Sequence, residues 1–384
     1  MLNWLLPEYV SDILPAEAQS IERLRRRVLD LFAVHGYELV IPPMLEYVDS
    51  LLTGTGHDLD LRTFKLVDQI SGRMLGIRAD ITPQVARMDA HLLNRQGLTR
   101  LCYVGSVLHT LPSDLTQTRE PLQMGAEIYG HQGVESDIEV QRLLLRSMSV
   151  AGVTEASLDL GHVRIFRTLV RNAHMSEEQE SELFHVMQLK DVPALRALVK
   201  KTDKVTREAL IALPDLYGAS EVLSMAAKRL PPLKPIKEAL KDLNTLYRGL
   251  GDLATIRFDL AELRGYHYHS GVVFSAYAKG WNNALARGGR YDEVGRAFGR
   301  ARAATGFSMD LRELASAQPA AQPRQAILAP YKPKDALLQA RIESLRGMGK
   351  IVIVDLPGHV ATRQELACTQ RLLWQESKWV LVKI

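Results

Sequence analysis

The stretch LCYVGSVLHTLPSDLTQTREPLQMGAEIYG, residues 101–130, decides the fold. Its two ends, 101–107 and 124–129, read as short strands, and a long polar segment separates them. Two such runs joined by a turn make an antiparallel hairpin. Gly105 and Gly125 lie twenty residues apart, one in each arm. Similar short runs at 62–67 and 74–77, again bounded by glycine or polar turns, extend the antiparallel reading to a whole sheet.

Outward from the hairpin, 16–34 is charged and apolar at helical spacing, with Arg25, Arg26 and Arg27 on what reads as a solvated face. Gly36 ends that helix, 37–41 reads as a strand, and Pro42 and Pro43 stop it. On the other side, 134–151 reads as a helix and 156–160 as a strand. From 162 to about 251 Leu, Val and Ala recur at three- and four-residue spacing, and Ser176 with Gln179 fits a capping box. This is a helical insertion. Strand patterns return at 255–278 and 305–309. The Ala-, Gln- and Pro-rich run 315–325 is a linker by composition. After it come a strand (326–329), a helix (333–348) and strands at 350–355 and 378–384. The expected organisation is α+β: a core domain over 1–314, with an insertion at about 163–251, then a linker and a small α/β unit over 326–384.

Composition sets outer limits. The chain has 384 residues and 46% hydrophobic content, enough for ordinary buried cores. Basic residues exceed acidic ones by 48 − 44 = 4, too small a margin to argue for nucleic acid. Cys102 and Cys368 form no metal or redox motif, so reduced thiols in a cytoplasmic protein are expected. No signal peptide and no run of about 18 apolar residues is read, so no membrane span is expected.

Chemistry concentrates in five short stretches. Gln123, Gly125 and Glu127 alternate at the end of the hairpin. Ile77-Arg78-Ala79-Asp80-Ile81-Thr82-Pro83 places a carboxylate and a hydroxyl just before a proline, which also suits a helix cap. Arg264-Gly265-Tyr266-His267-Tyr268-His269 leads to Val273-Phe274. Arg287-Gly288-Gly289-Arg290-Tyr291-Asp292 has glycines that let backbone approach a ligand or turn tightly. The fifth stretch is Gly306-Phe307-Ser308-Met309-Asp310-Leu311-Arg312-Glu313-Leu314. His267 and His269 would share a face on a strand, but no third ligand is near in sequence, so neither metal nor cofactor is expected.

Together these stretches resemble histidyl-tRNA synthetase, a class II aminoacyl-tRNA synthetase. The hairpin matches motif 2 (Tyr103, Gly105, Gln123, Gly125, Glu127), and 16–43 resembles motif 1, the dimerisation element. The resemblance implies an antiparallel sheet flanked by helices. It also implies a histidine pocket made of Asp80, Thr82, Gln123, Glu127, Arg264, Tyr268, His269 and Tyr291. Catalysis is not implied. The motif 2 arginine that grips the ATP α-phosphate falls on His109, and the glutamate after it on Leu111. The motif 3 arginine falls on Glu313 and its tight glycine on Asp310, while Arg312 is one residue off, about 100° round a helix. A neutral imidazole does not replace a bidentate guanidinium. Random decay has no reason to empty one half of a site and spare the other.

A synthetase-like chain with its catalytic groups gone and its C-terminus shortened resembles the regulatory subunit family of ATP phosphoribosyltransferase. That resemblance implies a short-form catalytic subunit as partner in a hetero-octamer, dimerisation of this chain, and feedback inhibition by L-histidine in the first step of histidine biosynthesis. Two other readings compete. An active histidyl-tRNA synthetase is opposed by His109, Leu111, Glu313 and the small C-terminal unit, which also weakens a tRNA role. An inert scaffold is opposed by the retained pocket residues.

Overall fold

The computed structural model describes residues 5–54, 57–112, 118–266, 268–318, 325–358, 366 and 368–384. The chain divides into two compact units, Met1–Gln318 and Pro319–Ile384.

The larger unit is built on a nine-stranded sheet. The hairpin is its spine: Thr99–Ser106 pairs antiparallel with Leu122–Tyr129, with Tyr103 opposite Gly125 and Leu101 opposite Glu127. Beyond Leu122–Tyr129 come Ala304–Asp310, Ala286–Arg290, Val272–Ala278, Ala156–His162, Thr255–Asp259 and Tyr217–Gly218 in spatial order, and Glu38–Leu39 closes the other edge. Six of the eight pairings are antiparallel. The parallel ones join Glu38–Leu39 to Thr99–Ser106 and Ala156–His162 to Thr255–Asp259. The second parallel pair needs a long crossover, and the helical insertion supplies it.

The spine strands are buried on both faces, and their two-residue period sorts the side chains. Cys102, Met124, Ala126, Ile128, Phe307 and Met309 enter the main core. Helix Pro15–Val34 meets that core through Ile21, Leu24, Val28 and Phe32, spaced three and four apart. Each such side chain contributes ~1.5–3 kcal/mol on burial. The basic run in this helix lies on its outer side, where Glu22 pairs with both Arg25 and Arg26 at 2.7 Å. Helix Val134–Val150 covers the same face. The other period faces away from that core: Tyr103 and Tyr129 join a second buried cluster, and Gln123 and Glu127 line the site described below. In the insertion, Ser176 and Gln179 form the capping box at the start of helix Glu177–Gln188.

Some elements depart from expectation. The strand at 37–41 shortens to Glu38–Leu39, because Pro42 and Pro43 carry no N–H to continue a ladder. Arg62 ends helix His57–Arg62 rather than starting a strand. The strand pattern at 255–278 is broken over 260–271, where Gly265 takes a left-handed φ of 68° and starts a turn. His269 therefore sits on a loop and not on a strand face, and His267 lies outside the described residues. The Arg287-Gly288-Gly289-Arg290 stretch is itself a strand. In the smaller unit a four-stranded sheet carries helix Ala336–Gly347, and a strand missed in the sequence, Cys368–Gln375, pairs with Lys378–Lys383.

Candidate functional site

The cavity-facing period of the spine opens onto a cavity of about 800 Å³. Asp80, Thr82, Gln123, Glu127, Arg264, Tyr268, His269 and Tyr291 all line it.

Glu127 is at its floor, 1% exposed. Its Oε1 accepts from the Tyr103 hydroxyl at 3.1 Å, and its Oε2 accepts a short hydrogen bond from Tyr291. Tyr103 also meets the Thr82 hydroxyl at 2.9 Å. Two glycines make this arrangement possible. A side chain at Gly125 would collide with the Tyr103 ring, and one at Gly306, opposite Glu127 in the neighbouring strand, would occupy the Glu127 carboxylate's space. Burial raises the Glu127 carboxyl to about pKa 8, while the tyrosine hydrogen bonds act the other way. In the unliganded pocket it is therefore largely protonated at neutral pH. A cation seated beside it would restore its charge.

Asp80 forms a second acidic point. Its Oδ1 accepts from Gln123 Nε2 at 2.7 Å and from the Thr82 backbone N–H at 3.0 Å, while Gln123 Oε1 accepts from the Ile81 N–H. Asp80 thus serves the start of helix Thr82–Arg87 and lines the cavity at once. The aromatic wall is Tyr291, Tyr268 and His269, with ring centroids 5.0 Å and 5.4 Å apart in that order. The Tyr268 hydroxyl is buried and has no hydrogen-bond partner among the described residues. Burial lowers the His269 imidazole to about pKa 4, so that ring is neutral. Arg264 is exposed, with its guanidinium 3.9 Å from the Glu262 carboxylate.

Another part of the cavity is lined by His109, Asp310, Arg312 and Glu313. His109 is buried, and its Nε2 lies 3.0 Å from the Ala79 carbonyl, with Arg62 3.0 Å from its Nδ1. Burial, then the Arg62 charge, push it down to about pKa 4, so it offers no positive charge to a phosphate. Leu111 points to solvent, 72% exposed. Asp310 caps the short helix Leu311–Ser316 by accepting from the Arg312 N–H at 2.9 Å, a local use for an acid in place of glycine. Glu313 and Arg312 both line the cavity, so Arg312 does not turn wholly away as its position suggested. Its guanidinium is held by the Glu120 carbonyl and the Ser11 hydroxyl.

Several lining residues had no signal in the sequence: Arg62, Phe184 and Trp281 come from distant segments. Among the described residues, no group of three or more His, Cys, Asp or Glu could hold a metal ion, and no helix is long and apolar enough to cross a membrane.

Residues 9–314 match the family model for histidyl-tRNA synthetase, and residues 324–382 match that for the ATP phosphoribosyltransferase subunit HisZ C-terminal domain. Two relatives named ATP phosphoribosyltransferase regulatory subunit, from Methylobacillus flagellatus and Ralstonia pickettii, are each 57% identical. The first match covers 100% of this chain and 99% of the relative, the second 99% and 97%. A solved structure from Bacillus halodurans, titled ATP phosphoribosyltransferase regulatory subunit/histidyl-tRNA synthetase, superposes with a TM-score of 0.84 at 25% identity over 96% of both chains. Histidyl-tRNA synthetase from Nostoc shares the fold, with a TM-score of 0.78 at 16% identity over 100% of this chain and 97% of the other. With a synthetase-type fold and full-length similarity to these relatives, the chain belongs to the ATP phosphoribosyltransferase regulatory subunit family.

Proposed function

We propose that this chain catalyses nothing itself and controls the short-form catalytic subunit of ATP phosphoribosyltransferase, with L-histidine in the cavity as the inhibitory signal. The observation that carries this reading is the contrast within one cavity. The polar and aromatic groups suited to an amino acid are in hydrogen-bonded order around Glu127 and Asp80. The position that the resemblance gives to a phosphate-gripping arginine holds a buried imidazole whose burial favours the neutral form.

In this reading Glu127 and Asp80 receive the α-ammonium, and Thr82 and Gln123 hold the acids in place. Arg264 meets the α-carboxylate. Tyr268, His269 and Tyr291 bound the imidazole, and the unpartnered Tyr268 hydroxyl takes one of its nitrogens. The complex is a cytoplasmic hetero-octamer in which this chain dimerises through its first helix and edge strand. Inhibition is a population shift: histidine favours one arrangement of this chain, which favours the inactive partner, with a coupling of about 1–3 kcal/mol. By linkage the inactive partner tightens histidine binding equally.

The test is assembly. Mixed with the catalytic subunit, the chain should elute as one species larger than either alone. Phosphoribosyltransferase activity should exceed that of the catalytic subunit by itself and fall on adding histidine. Two unchanged peaks across a range of concentrations would leave the inert scaffold as the better account.

A further inference from the structure

The loop that carries Arg264, Tyr268 and His269 into the cavity is fastened to the helical insertion at its midpoint. Tyr266 is 3% exposed, and its ring lies between Phe166 at 5.4 Å and Phe184 at 5.5 Å, both from insertion helices. Its hydroxyl donates to Glu180 Oε1 at 2.8 Å, in helix Glu177–Gln188. Arg167, from helix Val163–Ala173, stacks over the same ring at 4.9 Å and donates to the backbone carbonyls of Tyr266 (2.9 Å) and His269 (3.1 Å). Phe184 reaches past this contact to line the cavity itself. Behind the loop, the His269 ring packs against Gly265, where any side chain would strike it. The loop therefore has little freedom to move independently of the insertion.

We infer that Arg167, Tyr266 and Glu180 are positioning residues that transmit the occupancy of the cavity to helix Glu177–Gln188, making the insertion the element through which a bound ligand is reported. This rests on the assignment of histidine to the cavity. A ligand pressing on the aromatic wall acts on Tyr268 and His269. Through the Arg167 clamp and the Tyr266 ring that force reaches two insertion helices, while the strands flanking the loop stay fixed in the sheet. Packed aromatic layers and charge-assisted hydrogen bonds move as units, which is what a two-state coupling element requires.

Glu180 does not line the cavity, so its substitution separates transmission from binding. In the complex with the catalytic subunit, Glu180→Ala should leave histidine affinity by calorimetry close to the parent's. The factor by which saturating histidine reduces activity should shrink about fivefold or more, the low end of ordinary coupling. Glu180→Gln keeps an acceptor oxygen for Tyr266 and should restore most of that factor. In the parent, histidine should slow amide exchange across 177–188. Full inhibition of the Glu180→Ala complex, or unchanged exchange in that helix while calorimetry registers histidine, overturns the inference. No histidine binding to the parent at all would instead remove the cavity assignment, and this inference with it.

Discussion

Replacing Glu127 by glutamine tests the binding reading where it is most exposed to failure. Glutamine keeps the shape, and its carbonyl oxygen can still accept from one of Tyr103 and Tyr291 while its amide nitrogen donates to the other hydroxyl, but it cannot ionise. Truncating one partner of a buried charged pair costs about 2–5 kcal/mol, so histidine binding should weaken roughly 30-fold to several thousand-fold. The pH dependence is sharper evidence. With the carboxyl raised to about pKa 8, ionising it at pH 7 costs on the order of 1 kcal/mol. The parent's affinity relative to the mutant's should therefore rise about tenfold per unit as pH climbs toward 8, then level off. Comparing the two proteins cancels the titration of histidine itself. Stability should run the other way. A carboxyl raised from 4.5 to about 8 on folding binds its proton more tightly in the native state. It contributes stability that is full below 4.5 and lost as pH rises through 8, ~5 kcal/mol for a shift of that size. The mutant lacks this slope, so above pH 8 it should resist urea better than the parent while binding histidine worse. Calorimetry and urea unfolding from about pH 6 to about pH 9 measure both. Equal affinity of the two proteins at pH 8, or a flat ratio across the range, would refute the placement of the ammonium beside Glu127.

Gly306→Ala should nearly abolish histidine binding, because its methyl takes the Glu127 carboxylate's place; calorimetry on the folded variant reads it. Arg290→Met should cost about 3–5 kcal/mol in urea unfolding. It strands the buried Asp137 carboxylate, now 2.8 Å from the Arg290 guanidinium, and adding Asp137→Asn should recover part of the loss. Histidine-dependent exchange of pyrophosphate into ATP should be absent. Fixed donors to developing phosphate charge contribute ~2.7–4 kcal/mol each, and neither His109 nor Glu313 is one. Heat-sensitive exchange above a no-protein control would contradict that prediction.

Much of the site was legible because strands have a two-residue period. Gln123, Gly125 and Glu127 had to share a face once 122–129 was a strand, and Gly125 marked where that face admits a ring. The capping box at Ser176 and the apolar stripe of the first helix were readable for the same reason: each depends on residues within a turn or two of one another. The roles of the altered positions were less local. The sequence placed His109 where an arginine was expected. Only the packing of Arg62 and Ala79 around it shows an imidazole kept neutral. The sequence placed Glu127 in the pocket, and its raised pKa comes from the depth of its burial in the folded chain. The loop over 260–271 read as strand because its aromatic residues mimic one, and Gly265 turned it. Arg62, Phe184 and Trp281 carried no signal, since they meet only when hairpin, insertion and late strands close on one cavity. Sequence determined most of the elements, their facing and the family, because those follow from spacing. The tertiary structure alone decided which charges are lost to burial and which distant helices hold the site, because desolvation and long-range contact exist only in the folded chain.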